Sequence, residues 1–309
     1  MITYLFKQTL GAIPTLALLL TLTFFLLRLA PGGPFDSERA WPPEIKANID
    51  RQYELDRPVY VQFGHWAGSA VRGDFRESFQ YTGIPVSQLI KDSLPVSMTL
   101  GFWAVIASVI FGLGLGAIAA WKQNTWIDGS AMFLAIAGVS LPSYLVASVL
   151  ILSLSLGLGW FPPALWEGPS SLVLPVITLA LRPLAIIARL TRASMLEAMN
   201  SDYIRTAFSK GLSERSVVFK HALKNSLIPI LTVVGPITAY LVTGSFLVET
   251  VFQIPGIGKF FVEGILNRDY PLVMGVTLVY GVILIAANLG VDLLYGVVDP
   301  RIRLGEKSA

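Results

Sequence analysis

The chain has 309 residues, of which 54% are hydrophobic and 14% are charged, and its formal net charge is +3. A mean hydropathy of +0.65 is too high for an ordinary soluble protein and predicts an integral membrane protein. The absence of cysteine excludes disulfides, thiolate metal sites and cysteine nucleophiles. The basic pI, near 9.1, is typical of cytoplasmic loops in a membrane protein and does not by itself indicate nucleic-acid binding.

Six apolar segments are long enough, or nearly so, to cross a bilayer as a helix, which takes about 20 residues. They are residues 10–27, 96–121, 129–158, 172–190, 227–248 and 272–291. The predicted fold is therefore all-α, with six transmembrane helices. We expect the first segment to be an uncleaved anchor, because it is long for a signal sequence and lacks a small-residue cleavage site.

The distribution of basic residues predicts that both termini are cytoplasmic. In that orientation the only basic residues in the short outer loops are Lys259 and Arg268. The long first loop, residues 31–94, then lies outside and is predicted to form a mainly helical cap. One helix is expected to start within Pro42-Pro43-Glu44, and a second apolar set at helical spacing should lie against the outer membrane face or the neighbouring spans. That second set is Val59, Phe63, Trp66 and Ala70.

Prolines and glycines inside the spans predict where the helices bend or approach one another. Each proline, Pro142 among them, removes a backbone hydrogen bond and permits a kink. Either neighbouring helices satisfy the freed groups, or the kinked helices form a pathway that alternates between the two sides. Gly112 and Gly116 form a small-residue pair that is typical of close helix packing.

A charged stretch, residues 201–225, lies between the fourth and fifth apolar segments. Gly211 is predicted to end one helix as a left-handed cap, and Ser213 to cap the next, with Glu214 in its first turn. Its basic residues are Arg205, Lys210, Arg215, Lys220 and Lys224. This pattern of two short basic helices separated by a break predicts a docking surface for another protein.

No catalytic or metal site is predicted. Residues 256–259 resemble the end of a phosphate-binding loop, but Gln253 and Phe260 stand where that motif needs Gly and Ser or Thr. No H-E-x-x-H, G-x-S-x-G or paired-carboxylate pattern occurs in or near a span. Arg182 is the ionisable residue best placed at membrane depth; it either pairs with a carboxylate or helix-end carbonyls, or lies on a translocation path.

Residues 203–215, followed by 221–229, resemble the EAA loop of ABC importer permeases in its peptide and nickel form. In that motif a small residue is followed four positions later by glycine, and Ala207 and Gly211 stand at these two positions. Small residues here are expected to let the surface of a partner protein approach closely. Arg205 and Thr206 depart from the Glu-Ala that names the motif, as is usual in the peptide branch. Further segments similar to the family are 28–34, 55–58, 73–75 and 299–303, and those that select the oligopeptide branch are 38–39, 42–44, 122–125 and 266–270.

The resemblance implies a type I ABC importer permease of the inner membrane, without catalytic activity of its own. The residues implied to couple it to an ATPase are Tyr203, Arg205, Thr206, Ala207, Lys210, Gly211, Leu212, Ser213 and Arg215. The implied partners are a homologous C-type permease, two ATPase subunits that bind ATP and Mg, a periplasmic or lipid-anchored peptide-binding protein, the peptide and the bilayer. No cofactor and no nucleic acid are expected on this chain.

The predicted organisation is an N-terminus with the first helix (1–30), an outer loop (31–94), a permease core (95–298) and a cytoplasmic tail (299–309). The core includes the coupling loop, 197–226, and a second outer loop, 250–271. That outer loop is predicted either to project to the binding protein or to form a lid on the bundle; the predicted contacts are Pro255, Gly256, Ile257 and Gly258. Alternative functions are a dipeptide, nickel or antimicrobial-peptide permease and, less favoured, a secondary transporter, for which intramembrane acids and repeats are missing.

Overall fold

A computed structural model describes residues 2–30, 32–35 and 43–298. The predicted tail, 299–309, and the motif residues 36–42 lie outside this described part. Within it the secondary structure is helical, and its β-structure is limited to an isolated bridge between Glu77 and Pro85. The predicted all-α class is confirmed.

The helices follow one another with short connections. They are α1 (Ile2–Leu29), α2 (Pro43–Gln52), α3 (Val59–Ala70), α4 (Val86–Trp121), α5 (Trp126–Ser140), α6 (Ser143–Leu150), α7 (Val173–Met199), α8 (Asp202–Ser209), α9 (Glu214–Ser216), α10 (Leu223–Val242), α11 (Phe246–Val251), α12 (Ile257–Leu266) and α13 (Tyr270–Val298). A π-helical stretch, Ile151–Gly157, extends α6, and a second one, Val217–Ala222, joins α9 to α10.

Five helical stretches are long and apolar enough to cross a membrane: Leu10–Leu29, Val86–Trp121, Pro169–Met199, Glu214–Val251 and Tyr270–Gly290. The remaining predicted span, residues 129–158 and third in chain order, is not one straight helix. Its two halves, Trp126–Ser140 and Ser143–Gly157, are bent by 110°. Counting the bent pair as one span gives the predicted six.

Proline chemistry explains this break. Pro142 has no amide hydrogen, and its ring disfavours helical backbone angles at the preceding residue. Leu141 accordingly adopts an extended conformation, with φ −78° and ψ 131°. Other prolines, such as Pro183 and Pro229, lie inside continuous helices. From the sequence, Pro142 is one of several prolines in the spans that permit a kink, and the structure shows that a break forms at this one.

The chain divides into two compact units. The first unit comprises Ser97–Pro255 and the described part of Ala286–Ala309, and the second comprises Ile2–Val96 and Gly256–Ile285. In the first unit, α7 packs against α5 and α10. Eleven side chains of α7 are buried, which makes this helix the centre of the first unit.

Close packing of α4 on α7 confirms the role predicted for Gly112 and Gly116. A Cβ atom added at Gly112 would lie 2.9 Å from Cβ of Ile187, and one at Gly116 would lie 2.6 Å from Cβ of Thr191. Both distances are below normal contact, so neither position has room for a larger side chain.

We expect Gly116→Ala to lower the free energy of unfolding by about 1–3 kcal/mol through overpacking. Gly114→Ala on the same helix is the matched control, because a Cβ atom there meets nothing within 4 Å. The control should be neutral or stabilising by up to about 1 kcal/mol, the helix propensity gained over glycine. Denaturant unfolding of the purified chain in detergent measures both, and equal stabilities for the two variants would contradict the prediction.

The second unit confirms the helical cap predicted in the first loop. On α3, Trp66 packs with Phe24 of α1 and Met274 of α13, and Phe63 and Ala70 pack at the edge of this cluster. Val59, the fourth residue of the predicted apolar set, is outside this cluster and 38% exposed. The fully buried carboxylate of Asp269 accepts hydrogen bonds from the Ser78 hydroxyl and, each at 3.1 Å, from the amides of Gln80 and Leu272. These bonds fix residues 78–80 to the start of α13.

Candidate functional site in the connection between α7 and α10

The break between α8 and α9 is a glycine-dependent helix end. The amide of Gly211 donates to the Phe208 carbonyl at 2.9 Å, and the amide of Leu212 donates to the Ala207 carbonyl at 3.3 Å. This pair of bonds requires a left-handed residue after the helix, and Gly211 has φ +78°. The predicted left-handed cap at Gly211 is confirmed.

The start of α9 is held by a side-chain cap and by the end of α4. The Ser213 hydroxyl accepts a hydrogen bond from the Ser216 amide at 3.4 Å, as predicted for an N-cap. The indole N–H of Trp121, the last residue of α4, donates to the Glu214 carboxylate at 2.8 Å. Arg215 lies 5.7 Å above the same indole. The connection is therefore tied to α4 as well as to α7 and α10.

One face of α8 belongs to the core of the first unit. Ile204 and Ala207, three residues apart and so on one helix face, are 1% and 6% exposed. They pack in a cluster with Ala117, Ala120, Met195, Val217, Val218 and Ala222. The interpretation that Ala207 leaves room for an approaching partner is therefore corrected, because its small side chain is enclosed by this chain's own α4, α7 and π-helical segment.

The opposite face of α8 and the following turn are exposed. The other predicted coupling residues all lie there: Tyr203, Arg205, Thr206, Lys210, Gly211, Leu212, Ser213 and Arg215. Arg205 and Asp202 approach to 3.8 Å, but both are exposed, so this ion pair contributes little to stability. Lys210 and Lys224 form no ion pair with any residue of the described part. Their charge is available to a partner.

Two exposed aromatic side chains, one on this surface and one in the π-helical segment, were missed by sequence reasoning. Phe208 is 45% exposed on α8, and Phe219 is 42% exposed in the π-helical segment. Large apolar side chains that remain exposed next to basic groups are typical of binding surfaces. Phe208 lies inside the recognised motif, so its residue type was a usable signal. We call the exposed residues 203, 205, 206, 208 and 210–215 the α8 surface.

A buried ion pair beneath the connection was also missed. Arg192 donates from Nε and Nη2 to the two oxygens of Asp128 at 2.6 and 2.7 Å, and the Asn124 amide donates to the same carboxylate at 3.0 Å. Asp128 is 4% exposed. The pair joins the first turn of α5 to α7. An aspartate in the first turn of an otherwise apolar helix was the signal in the sequence.

Arg182 lies at a pocket beside the bent helices. The pocket has a volume of about 210 Å³ and is lined by the bend at 138–143, by 178–183 of α7, and by Tyr240 and Ser245. Arg182 is exposed and makes no hydrogen bond or ion pair with a described residue. A carboxylate partner for it within the described part of the chain is thereby excluded.

The predicted binding-protein contact at 255–258 is largely buried. Pro255 is exposed, whereas Gly256, Ile257 and Gly258 are buried. Ile257 begins α12 and is 0% exposed in a cluster with Val86, Ile90, Leu272 and Val276. The prediction of a projecting hairpin at Ile257 is therefore wrong, because this side chain fills the core of the second unit. A packed lid, the alternative, agrees with this burial.

Several apolar helices of membrane-spanning length in the described residues define a multi-pass membrane protein, and solved structures identify its fold. The chain is similar to the MetNI methionine ABC transporter in an inward-facing conformation, with a TM-score of 0.53, 17% identity, and coverage of 69% of this chain and 97% of that one. It is also similar to an amino acid ABC transporter crystallised with histidines, with a TM-score of 0.51, 18% identity, and coverage of 67% and 93%. The fold is that of an ABC transporter permease.

Curated relatives cover nearly the whole chain. The oligopeptide transport system permease protein OppB of Salmonella typhimurium is 45% identical over 305 residues, covering 98% of this chain and 100% of that protein. OppB of Escherichia coli K12 is 44% identical with the same coverage. The dipeptide transport system permease protein DppB of Bacillus subtilis is 44% identical, covering 98% and 99%.

The family profile described as "Binding-protein-dependent transport system inner membrane component" matches residues 112–304. The chain belongs to this family of inner-membrane permease components. The predicted resemblance to the peptide branch of ABC importer permeases is confirmed.

Proposed function

We propose that this chain forms, with a homologous C-type permease subunit, the transmembrane path of an ABC importer for oligopeptides. The support is the near-complete coverage by OppB proteins at 44–45% identity. In this proposal both termini are cytoplasmic, and a peptide-binding protein delivers peptide from the other side. Of the predicted contact residues 255–258, Pro255 is exposed and is proposed to contact the peptide-binding protein.

ATP and Mg are bound and ATP is hydrolysed by separate subunits, which dock on the α8 surface. The observation that carries this assignment is the two-sided character of α8. Its inner face is locked through Ile204 and Ala207 into a cluster shared with α4 and α7, while its outer face is basic, aromatic and exposed. A well-packed contact moves as a unit, so displacement of α8 by an ATPase would be passed directly to the spans.

The path for the peptide passes the pocket at Arg182 and the bend at Leu141–Pro142. An arginine among apolar spans that has no partner among the described residues of its own chain is expected to face water, substrate or another subunit. Peptides differ in their side chains, so a path with few specific contacts is expected, with selection largely in the binding protein.

Dipeptide uptake is the second candidate, because DppB of Bacillus subtilis is 44% identical, nearly the same value as for OppB. Nickel and antimicrobial peptides remain further alternatives within the ABC class. A secondary transporter is the least favoured, since it requires an ion-coupling site within this chain.

Purification through a tag on this chain, followed by mass spectrometry, tests the proposal. We expect a homologous permease and two ATPase subunits to co-purify, and the complex in vesicles to hydrolyse ATP faster when binding protein and peptide are added. Peptides of two to eight residues compared in the same vesicles distinguish oligopeptide from dipeptide transport. Transport by this chain alone, driven by an ion gradient without ATP, would refute the proposal.

A further inference from the structure

The second unit contains a cavity of about 520 Å³ that the proposed coupling and translocation sites do not use. Its volume lies within the range of small-molecule sites, about 300–1,000 Å³. Its walls come from the end of α1, from α2 and α3 with the turn between them, from residues 74–85 and from the start of α13. The aromatic side chains that line it are Phe24, Tyr53, Trp66, Phe79 and Tyr270.

Arg28 lines this cavity and has no acidic partner among the described residues. Its Nε and Nη2 donate to the side-chain oxygen of Gln62 at 3.1 and 2.8 Å, and its Cζ lies 3.5 Å from the ring centre of Phe24. No carboxylate of the described residues forms an ion pair with it. A guanidinium has five N–H donors in a planar fork that fits a carboxylate, and neutral partners leave some of them unused.

Trp66 adds a second donor on the same wall. It follows Gln62 by one turn of α3 and is 5% exposed. Trp66 lines the cavity, and its buried indole N–H makes no hydrogen bond with any described residue. Buried donors in native proteins nearly always have a partner, so an acceptor supplied by a bound molecule is expected here.

Three acidic residues of the described part line the cavity. Asp74 accepts a hydrogen bond from the Arg76 amide at 2.9 Å. Glu54 is paired, since its carboxylate contacts His65 Nδ1 at 3.0 Å and Arg76 Nη2 at 3.1 Å, and the hydrogen bond to His65 is the largest cause that lowers its pKa. Glu77 makes no such bond in the described part. Glu77 lines the cavity together with Tyr53. Burial, and then the charge of Glu77, raises the pKa of Tyr53.

We propose that this cavity binds a short peptide as a zwitterion. The peptide carboxylate is held by Arg28 and the Trp66 indole N–H, and its ammonium group lies among the aromatic rings beside Glu77. A bidentate guanidinium–carboxylate contact is among the stronger hydrogen-bonded pairs, and aromatic faces attract ammonium groups. The choice of a peptide as the zwitterion rests on the proposed function.

Calorimetric titration of the purified full-length chain in nanodiscs tests this site. The probes are trialanine, trialanine amide and N-acetyl-trialanine. We expect trialanine to bind, and loss of the carboxylate in the amide to weaken binding by about tenfold or more. Acetylation should weaken binding as well, because it removes the ammonium charge.

Arg28→Gln should weaken trialanine binding and remove the difference between the free acid and the amide, as expected if Arg28 contacts the carboxylate. Trp66→Phe keeps an aromatic ring and the packing while removing the donor, so it tests the site even if Arg28→Gln fails to fold. The matched control is Arg72→Gln, an exposed arginine of the same unit that does not line the cavity. It should bind like the wild type.

Failure of the wild-type chain to bind trialanine would overturn the inference, and so would equal binding of the acid and the amide. Either result can be distinguished from failure of the proposed function, which is judged by ATP-dependent uptake in vesicles. Normal uptake without cavity binding refutes only the cavity site. Cavity binding without ATP-dependent uptake refutes only the proposed transport function.

Discussion

Gly211→Arg is expected to abolish peptide uptake while the protein remains in the membrane. Gly211 has φ +78°, and a Cβ atom there would meet nothing within 4 Å of this chain. The substitution therefore costs about 1–2 kcal/mol of backbone strain but causes no internal clash. Its long side chain projects from the α8 surface, where the ATPase is proposed to dock. Uptake and ATP hydrolysis by the vesicle-reconstituted complex provide the measurement, and the two activities should become uncoupled.

Gly159→Arg is the matched control for this experiment. Gly159 also ends a helix in the left-handed region, with φ +66°, and a Cβ atom there likewise meets nothing within 4 Å. It carries a similar strain outside the α8 surface, so uptake should persist. Gly211→Asn, which tolerates the left-handed conformation and is short, should retain part of the uptake. Normal uptake by Gly211→Arg would contradict the docking assignment.

Arg192→Met is expected to lower the free energy of unfolding by about 3 kcal/mol or more. The loss arises because Asp128, 4% exposed, would keep a buried carboxylate without its bidentate partner. Removing one member of a buried ion pair costs more than removing both. The double variant Asp128→Leu/Arg192→Met should therefore recover much of the loss. Thermal or denaturant unfolding of the purified chain in detergent measures these changes.

Arg189→Met supplies the control on the same helix. Arg189 is exposed and makes no ion pair in the described part of the chain, so its replacement should change stability by no more than about 0.5 kcal/mol. If Arg192→Met is as stable as Arg189→Met, the Asp128–Arg192 pair does not stabilise the contact between α5 and α7.

Features that depend on neighbouring residues were predictable. The apolar spans follow from hydropathy, the left-handed end of α8 from Gly211, and the cap of α9 from Ser213. Each rests on the chemistry of one short segment, which distant packing did not override. The same local reasoning marked Pro142 as one of several prolines that permit a kink, but the angle of 110° between the two halves there depends on what each half packs against.

The coupling loop was recognisable, but the division of its residues between core and surface was not. Ala207 and Gly211 look equivalent in the motif as small residues, yet Ala207 is enclosed while Gly211 is exposed. Helical spacing alone shows that Ile204 and Ala207 share a face. It does not show that α4 and α7 supply a cluster to cover that face.

The sequence by itself determined the class of this protein: a multi-pass membrane chain with a charged helix–break–helix connection and the motif of an importer permease. Hydropathy, charge and turn chemistry act over a few residues, so they can be interpreted without coordinates. Only the tertiary structure decided that Ile257 is a core residue and that Asp128 pairs with Arg192. It also brought Arg28 and Trp66 to one cavity wall. These features depend on contacts between residues far apart in the chain, which packing alone selects.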